Sequence, residues 1–380
     1  MFLQIHTLTA YPASLLNRDD AGLAKRLPFG NAVRLRVSSQ CLKRHWREDL
    51  TQKMPNLPDG KRTRSFFTRT VLPMAIKAGA DERVVESLIE PLAKAVIDGG
   101  VKEGGDLNQP VLFGLPEAEY FAQMLVEASR EEEPAKVLTE RLKSKEEKDN
   151  LRALSKSAAG LTAALFGRMV TSDLLARVDA PVHVAHAFTV HAAYTEMDYF
   201  TVVDDLNRDD ETGAAHANQT ELGAGLYYGY VVVDIPLLVS NLTGMDPKDW
   251  QQQDTSTARR VLEALIDAIV HQSPGAKKGS TAPYAWADAL FLETGRGQPR
   301  ALSNAFLEAL RADGKSDLRS AALNRLAVYV HQLDGMYGPP ANGEGRFLAT
   351  TLEQPSHLPT KKPVPDAVHA ALDTVFGVRA

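Results

Sequence analysis

"AVRLRVSSQCLKRHWRE", residues 32–48, brings two structural periods together. "VRLRV" alternates strictly, so Val33, Leu35 and Val37 are expected on one face of a strand, with Arg34 and Arg36 on the other. Ser38 and Ser39 then offer an N-cap, and "QCLKRHWREDL" follows as a helix. At about 100° per residue, Leu42, Trp46 and Leu50 form an apolar stripe, while Gln40, Lys43, Arg44 and Arg47 share an exposed arc. The stretch is also strongly basic. From Val33 to Arg47 it carries five Arg or Lys and no acid, in a chain whose formal net charge is −5. A strand with two arginines, a capped helix start and a basic helical arc make a good phosphate site. Free backbone N–H groups and the helix dipole add to the side chains there. A solvated basic face is the competing reading.

Working outward, residues 1–69 hold 13 Arg and Lys against 5 Asp and Glu, a balance of +8, which leaves −13 for residues 70–380. That asymmetry points to a local polyanion site and away from a diffuse nucleic-acid coat. The 380 residues allow two or three average domains, or one large domain with insertions. A hydrophobic content of 44% and a charged content of 24% support a sizeable core. "MFLQIHTLTAYP" has no basic leader followed by an apolar core, and no run approaches a membrane span, so neither secretion nor a membrane is expected. A lone cysteine, Cys41, excludes an internal disulfide framework and fits a reducing cytoplasm.

Along the chain, residues 2–8 read as a strand, followed by a loop at "NRDDAGLAKRLPFGN". From about 60 to 180 the pattern is helical, as in "ERVVESLIEPLAKAVIDGG", and punctuated by glycine and proline, as expected of an inserted helical subdomain. Residues 193–224 have poor helical periodicity and many turn formers, and read as a long extended loop. Strand patterns return at "LYYGYVVVDI" and "YAWADALFLE", with the helix "TSTARRVLEALIDAIVHQ" between them. The alternation predicts α+β or α/β architecture.

Other candidate chemistry is thin. His183, His186 and His191 lie close together but match no zinc spacing, and structural histidines are the better reading. The acids Asp204, Asp205, Asp209, Asp210 and Glu211 invite a divalent cation, yet lack the EF-hand spacing and its glycine. "GAGLYYG" precedes a strand instead of following one, so it is no dinucleotide fingerprint. "PGAKKGST" lacks the closing Gly-Lys-Ser/Thr of a phosphate loop, although Lys277 and Lys278 could touch phosphate. No nucleophile elbow, kinase set or HExxH is present. No catalytic residue, metal site or cofactor is therefore expected.

Five blocks carry a family likeness: "SLLNRDDAG" (14–22), "FGNAVRLRVSSQCLKRHWR" (29–47), "LFGRMVTSDLLARVDAPVHVAHAFTVH" (165–191), "DYFTVVDDL" (198–206) and "SPGAKKGSTAPY" (273–284). In order and spacing they closely resemble the CasC backbone subunits of type I-E CRISPR Cascade complexes. The resemblance implies an α+β protein: an RRM-like (ferredoxin-like) palm, inserted helical fingers and a long thumb loop. The implied segments are palm at 1–59, fingers at 60–180, palm at 181–192, thumb at 193–224, palm at 225–345 and a C-terminal segment at 346–380. It further implies a non-catalytic, cytoplasmic subunit stacked in several copies along CRISPR RNA, with other Cascade subunits, supporting guide pairing with target DNA. Arg18, Lys25, Ser38, Gln40 and Lys43 then correspond to guide-backbone contacts, and Asn17, Arg34, Arg44, Arg168 and Lys277 are further RNA-binding candidates. Met169 corresponds to an apolar wedge between bases, and Tyr199, Phe200 and Val203 to the thumb packing on the guide; position 199 is Tyr where the family leads one to expect Trp. Lys136, Arg141 and Lys143 are candidate target-DNA contacts, though the interleaved glutamates make a solvated helix the better reading. The alternative is a metal-dependent nuclease of related fold using Asp204 and Asp205.

Overall fold

Strand β1 (Phe2–Ser14) is buried at every position from Leu3 to Thr9, so both faces of its sheet must be covered. The computed structural model describes residues 1–377 apart from 159, 171, 173, 176, 203–215, 312–316 and 340–344. The further strands are β2 (Arg26–Phe29), β3 (Ala32–Val37), β4 (Lys61–Thr63), β5 (Val111–Phe113), β6 (Val182–Val184), β7 (Ala187–Thr189), β8 (Tyr194–Val202), β9 (His216–Asp234), β10 (Ala289–Gly295) and β11 (Gly345–Thr350). The helices are α1 (Ser39–Lys53), α2 (Leu72–Lys77), α3 (Glu82–Val96), α4 (Leu115–Ala128), α5 (Pro134–Lys143), α6 (Lys145–Ala158), α7 (Gly160–Phe166), α8 (Ile235–Thr243), α9 (Ser256–His271), α10 (Lys278–Thr281), α11 (Leu318–Tyr337) and α12 (Val364–Phe376). The architecture is mixed α+β with a large antiparallel sheet.

The chain divides into two compact units. The larger comprises Met1–Leu50, His183–Val233 and Arg259–Ala380, and the smaller Thr51–Val182 and Asp234–Ala258. In the larger unit the strands run in the order β11-β10-β1-β9-β7-β3-β2, and β8 also pairs with β9. Ile5, Thr7, Thr9 and Tyr11 of β1 share a small cavity with Leu42 and Trp46 of α1 and Ile269 of α9, which places those helices on one face. On the other face Leu8, Tyr228 and Phe291 pack against Ala322, Leu323, Leu326 and Val330, the helically spaced stripe of α11. The smaller unit is chiefly helical around its own core. Val85, Leu88, Ile89, Leu92 and Val96 of α3 meet Phe67, Phe121 and Leu125 there, and Phe66 stacks on Phe113 at 3.9 Å.

Two expectations change. The smaller unit takes in residues 234–258, far along the chain from the 60–180 insert. The stretch 193–224 is, where described, a paired ribbon: Tyr194 opposes Ala224 and Phe200 opposes Asn218 in one antiparallel register. Its polar residues masked a period of two, because a ribbon exposed over much of its length needs no apolar alternation. Val203, Asp204 and Asp205 lie outside the described residues, as do Asp209, Asp210 and Glu211. No helix among the described residues is long and apolar enough to cross a membrane.

Candidate nucleic-acid interface

The basic stretch folds as a strand entering a capped helix, as its periods predict. Ser38 Oγ accepts from the Cys41 N–H at 3.4 Å, Trp46 and Leu50 are buried, and no acid stands in the first turn of α1. A tight turn docks against this helix start. The Lys25 N–H donates to Asn17 O at 2.9 Å, and Asp19 Oδ1 accepts from Ala21 and Leu23, closing the loop around Gly22. Asn17 Oδ1 then accepts from the Ser38 N–H at 2.9 Å, and the Arg36 N–H donates to Lys25 O at 2.8 Å. Asn17 and Ser38 thus lock the loop to the helix, with Arg18 and Gln40 exposed beside it.

Cations from three segments converge here. The charges of Arg44, Lys25 and Lys278 all reach the Cys41 thiol, whose pKa nonetheless rises because burial outweighs their pull. Burial, and then the charge of Lys278, lowers the His45 pKa; burial, and then Arg36 and Lys25, lowers that of His186. Arg36 also donates to His186 Nδ1 at 2.9 Å. Arg44 is exposed and pairs with exposed Glu48, an i,i+4 pair that solvent screens. Lys43 is half-buried, and its pKa falls through desolvation. The result is a positive surface beside an open helix N-terminus, which suits phosphate. Arg36, one of the two arginines expected on the strand, belongs to it together with His186, which was missed as a site residue. The separation of His186 from this stretch in sequence, closed by β3–β7 pairing, hid it.

Two expected contacts are corrected. Arg34 is fully buried: its guanidinium donates to Thr189 O at 3.0 Å and Phe306 O at 2.9 Å, while Val33 is half exposed. Phe306 and Leu307 cover Arg34, so its charge serves carbonyls and not solvent. Arg168 is equally enclosed, donating to both oxygens of buried Glu117 at 2.7 and 3.0 Å. Glu117 in turn accepts from the Gly114 N–H at 2.9 Å, capping α4.

That buried pair sits next to the most exposed large apolar side chain of the smaller unit, Met169, at 84%. Gly167 (φ +75°) precedes it. A Cβ there would lie 2.7 Å from Val178 O, so only glycine permits the arch that Arg168 and Val178 close by reciprocal hydrogen bonds. Met169 therefore stands on a rigid base.

On the ribbon, Tyr199 is exposed and Phe200 less so. Lys277 Nζ lies 5.1 Å from the Phe200 ring centroid and donates to Thr220 Oγ1 at 2.7 Å, so it braces the ribbon. Arg26 similarly pairs with Glu221, whose other oxygen accepts from the Ala24 N–H. Of the finger cations, Lys136 pairs with Glu133, and Arg141 is tied to Glu127 and to buried Glu147, leaving it little charge to offer a duplex. Lys143 is exposed. His191 donates from Nδ1 to Ala192 O and accepts at Nε2 from the Leu226 N–H, which makes it structural. No group of three or more potential metal ligands occurs among the described residues.

Fold and site together define a mixed α+β protein whose larger unit carries a cationic surface site at a helix start. The profile of the CT1975-like protein family matches residues 3–370, and the chain belongs to that family. It is similar, at 26% identity and a TM-score of 0.77, to a chain of a structure named "CRISPR RNA-guided surveillance complex, pre-nicking", with 98% of this chain and 100% of the other aligned. A chain of a second structure, "CRISPR RNA-guided surveillance complex", shares the fold at 23% identity and a TM-score of 0.63, covering 99% of this chain and 100% of that one. No curated protein sequence matches significantly. The resemblance to CasC subunits carried by the five sequence blocks agrees with the family and with these likenesses.

Proposed function

We propose that this chain is a non-catalytic backbone subunit of a type I-E CRISPR RNA-guided surveillance complex, holding CRISPR RNA along its phosphates. The observation that carries this reading is the convergence of Lys25, Arg44 and Lys278 around Cys41, beside the capped start of α1. A subunit that must accept any guide has to grip phosphate and ribose and leave base edges unread. Side-chain cations and helix N–H groups do that, and base pairing of guide to target DNA then supplies specificity. The palm is read as RRM-like. β10, β1, β9 and β7 are neighbours in that order, with α1 following β1 and α9 following β9 along the chain, which is the order of a ferredoxin-like unit. Met169 is the apolar wedge between bases, and the ribbon with Tyr199 and Phe200 is the thumb. Several copies assemble along one guide with other Cascade subunits, in the cytoplasm.

The test is RNA affinity of the full chain. Lys25→Glu and Arg44→Glu are each expected to weaken binding alike for labelled single-stranded RNAs of unrelated sequence. Each lost contact should lower the salt slope by about 0.7. A defect confined to certain sequences overturns phosphate gripping. Metal-dependent RNA cleavage lost in Asp204→Ala or Asp205→Ala overturns the non-catalytic reading.

A further inference from the structure

Beyond the phosphate site, the larger unit exposes aromatic side chains with no role so far, two of them close together in the loop that carries Lys277 and Lys278. Tyr284 and Trp286 are each 71% exposed. They flank Ala285, which is less exposed than either and whose backbone N–H and C=O both face buried Ser273. The segment is held firmly. Buried Ser273 Oγ accepts from the Ala285 N–H at 2.9 Å and donates to Ala285 O at 3.0 Å. The Ala287 N–H donates to Val270 O at 3.0 Å and the Asp288 N–H to Leu8 O at 2.8 Å. Trp286 is steadied by an edge contact with His271, ring centroids 4.8 Å apart. Rigid, outward-facing aromatic rings contribute little to packing, and such rings are what an aromatic ligand stacks on.

The same loop carries the cations. Lys277 (φ +53°) and Ala282 (φ +41°) both adopt the left-handed region, an uncommon conformation for residues with a Cβ. They bracket the short α10 and set the direction of Lys278. The Lys278 stem lies over Gly275, where a Cβ would fall 3.6 Å from Lys278 Cγ and 2.8 Å from Pro283 Cγ. Lys278 thus passes beside the residue that precedes Tyr284, and its charge reaches Cys41 and His45 on α1. On the other side, Gln272 donates to Asp49 Oδ1 at 2.8 Å, binding the loop base to α1. A phosphate-gripping surface and a pair of open rings therefore share one fixed loop.

We infer that Tyr284 and Trp286 form a stacking platform for unpaired bases of single-stranded RNA whose phosphates lie on Lys278 and its neighbours. The inference rests on the RNA-binding reading above and adds to it a base-contacting site that is indifferent to sequence, since every base has a π-face. A protein partner also favours exposed Tyr and Trp, but the adjoining cations match a ligand with phosphate beside each ring.

The experiment titrates the full chain with labelled single-stranded RNA and with an abasic strand of the same length. Trp286→Ala is expected to weaken RNA binding roughly 5- to 150-fold, as loss of one stacked base does. The salt slope should stay unchanged, and Trp286→Phe should stay near wild type. Binding of the abasic strand should be the same in Trp286→Ala as in wild type. Tyr284→Ala should behave alike, while Lys278→Ala should lower the slope. The platform is overturned if Trp286→Ala and Tyr284→Ala bind RNA as wild type does while Arg44→Glu fails, an outcome that leaves phosphate gripping standing. It is also overturned if these variants lose a protein partner with RNA affinity intact. Wild-type protein that binds no RNA removes the RNA reading and the platform with it.

Discussion

Two stretches, residues 32–48 of the larger unit and 131–150 of the smaller, look alike in lysine and arginine but are built for different ends. The first holds five Arg or Lys and one acid, Glu48; the second holds five Arg or Lys and seven Asp or Glu. In the second, Lys136 and Arg141 meet glutamates, one of them buried. In the first, Arg34 meets carbonyls, which orient a cation without cancelling its charge, and Arg44 meets an exposed glutamate. A cation neutralised by a buried carboxylate serves the fold. One left in excess at an open helix end has charge to offer a polyanion.

The largest test of this contrast is Arg168, the extreme case of a cation serving the fold. Arg168→Met leaves Glu117 charged in a site with no solvent exposure, and should cost about 3–5 kcal/mol in chemical denaturation. Pairing it with Glu117→Gln should recover part of the loss. A stable Arg168→Met protein with weakened RNA binding would return Arg168 to the interface and break the contrast.

The larger unit has its own neutralised cluster, and acid should reveal it. Burial pushes the Glu293 carboxyl up, but His6 at 3.4 Å and the charges of Arg346 and Arg300 prevail and hold it at about 2, against an ordinary 4.5. Because the folded value lies below the unfolded one, this stabilisation is complete above about pH 4.5 and is lost as pH falls toward 2. The difference corresponds to about 3 kcal/mol. The urea midpoint of the wild type should drop steeply through that window, and Glu293→Gln should flatten the slope. Equal slopes would mean that the cluster is not neutralised as described.

The smallest effect is expected in the smaller unit. Lys136→Gln with Lys143→Gln should change stability by no more than about 0.5 kcal/mol. Association with duplex DNA at low salt should change little, since local glutamates already outnumber the cations. Markedly slower association would restore these lysines as target contacts and erase the difference between the two stretches.

Much of this was legible along the chain. The strand of 32–37, the Ser38 cap and the Trp46–Leu50 stripe depend on neighbours within a few residues, and local periodicity reports them faithfully. Alternation failed at Arg34 and Val33, because Arg34 is covered by Phe306 and Leu307, far along the chain. It failed again across 193–224, where pairing with a distant segment makes a polar sequence extended. Arg168 read as a surface cation because its partner, Glu117, lies far back in the chain.

The sequence by itself determined the local elements, the charge excess of the first 69 residues and, through five ordered blocks, the family. These follow from short-range sterics, helix and strand periods and simple counting of charge. Only the tertiary structure decided which cations reach solvent, which meet carbonyls or carboxylates, and that Tyr284 and Trp286 stand open beside Lys278. Burial and pairing are properties of residues brought together from distant parts of the chain, so no local pattern encodes them.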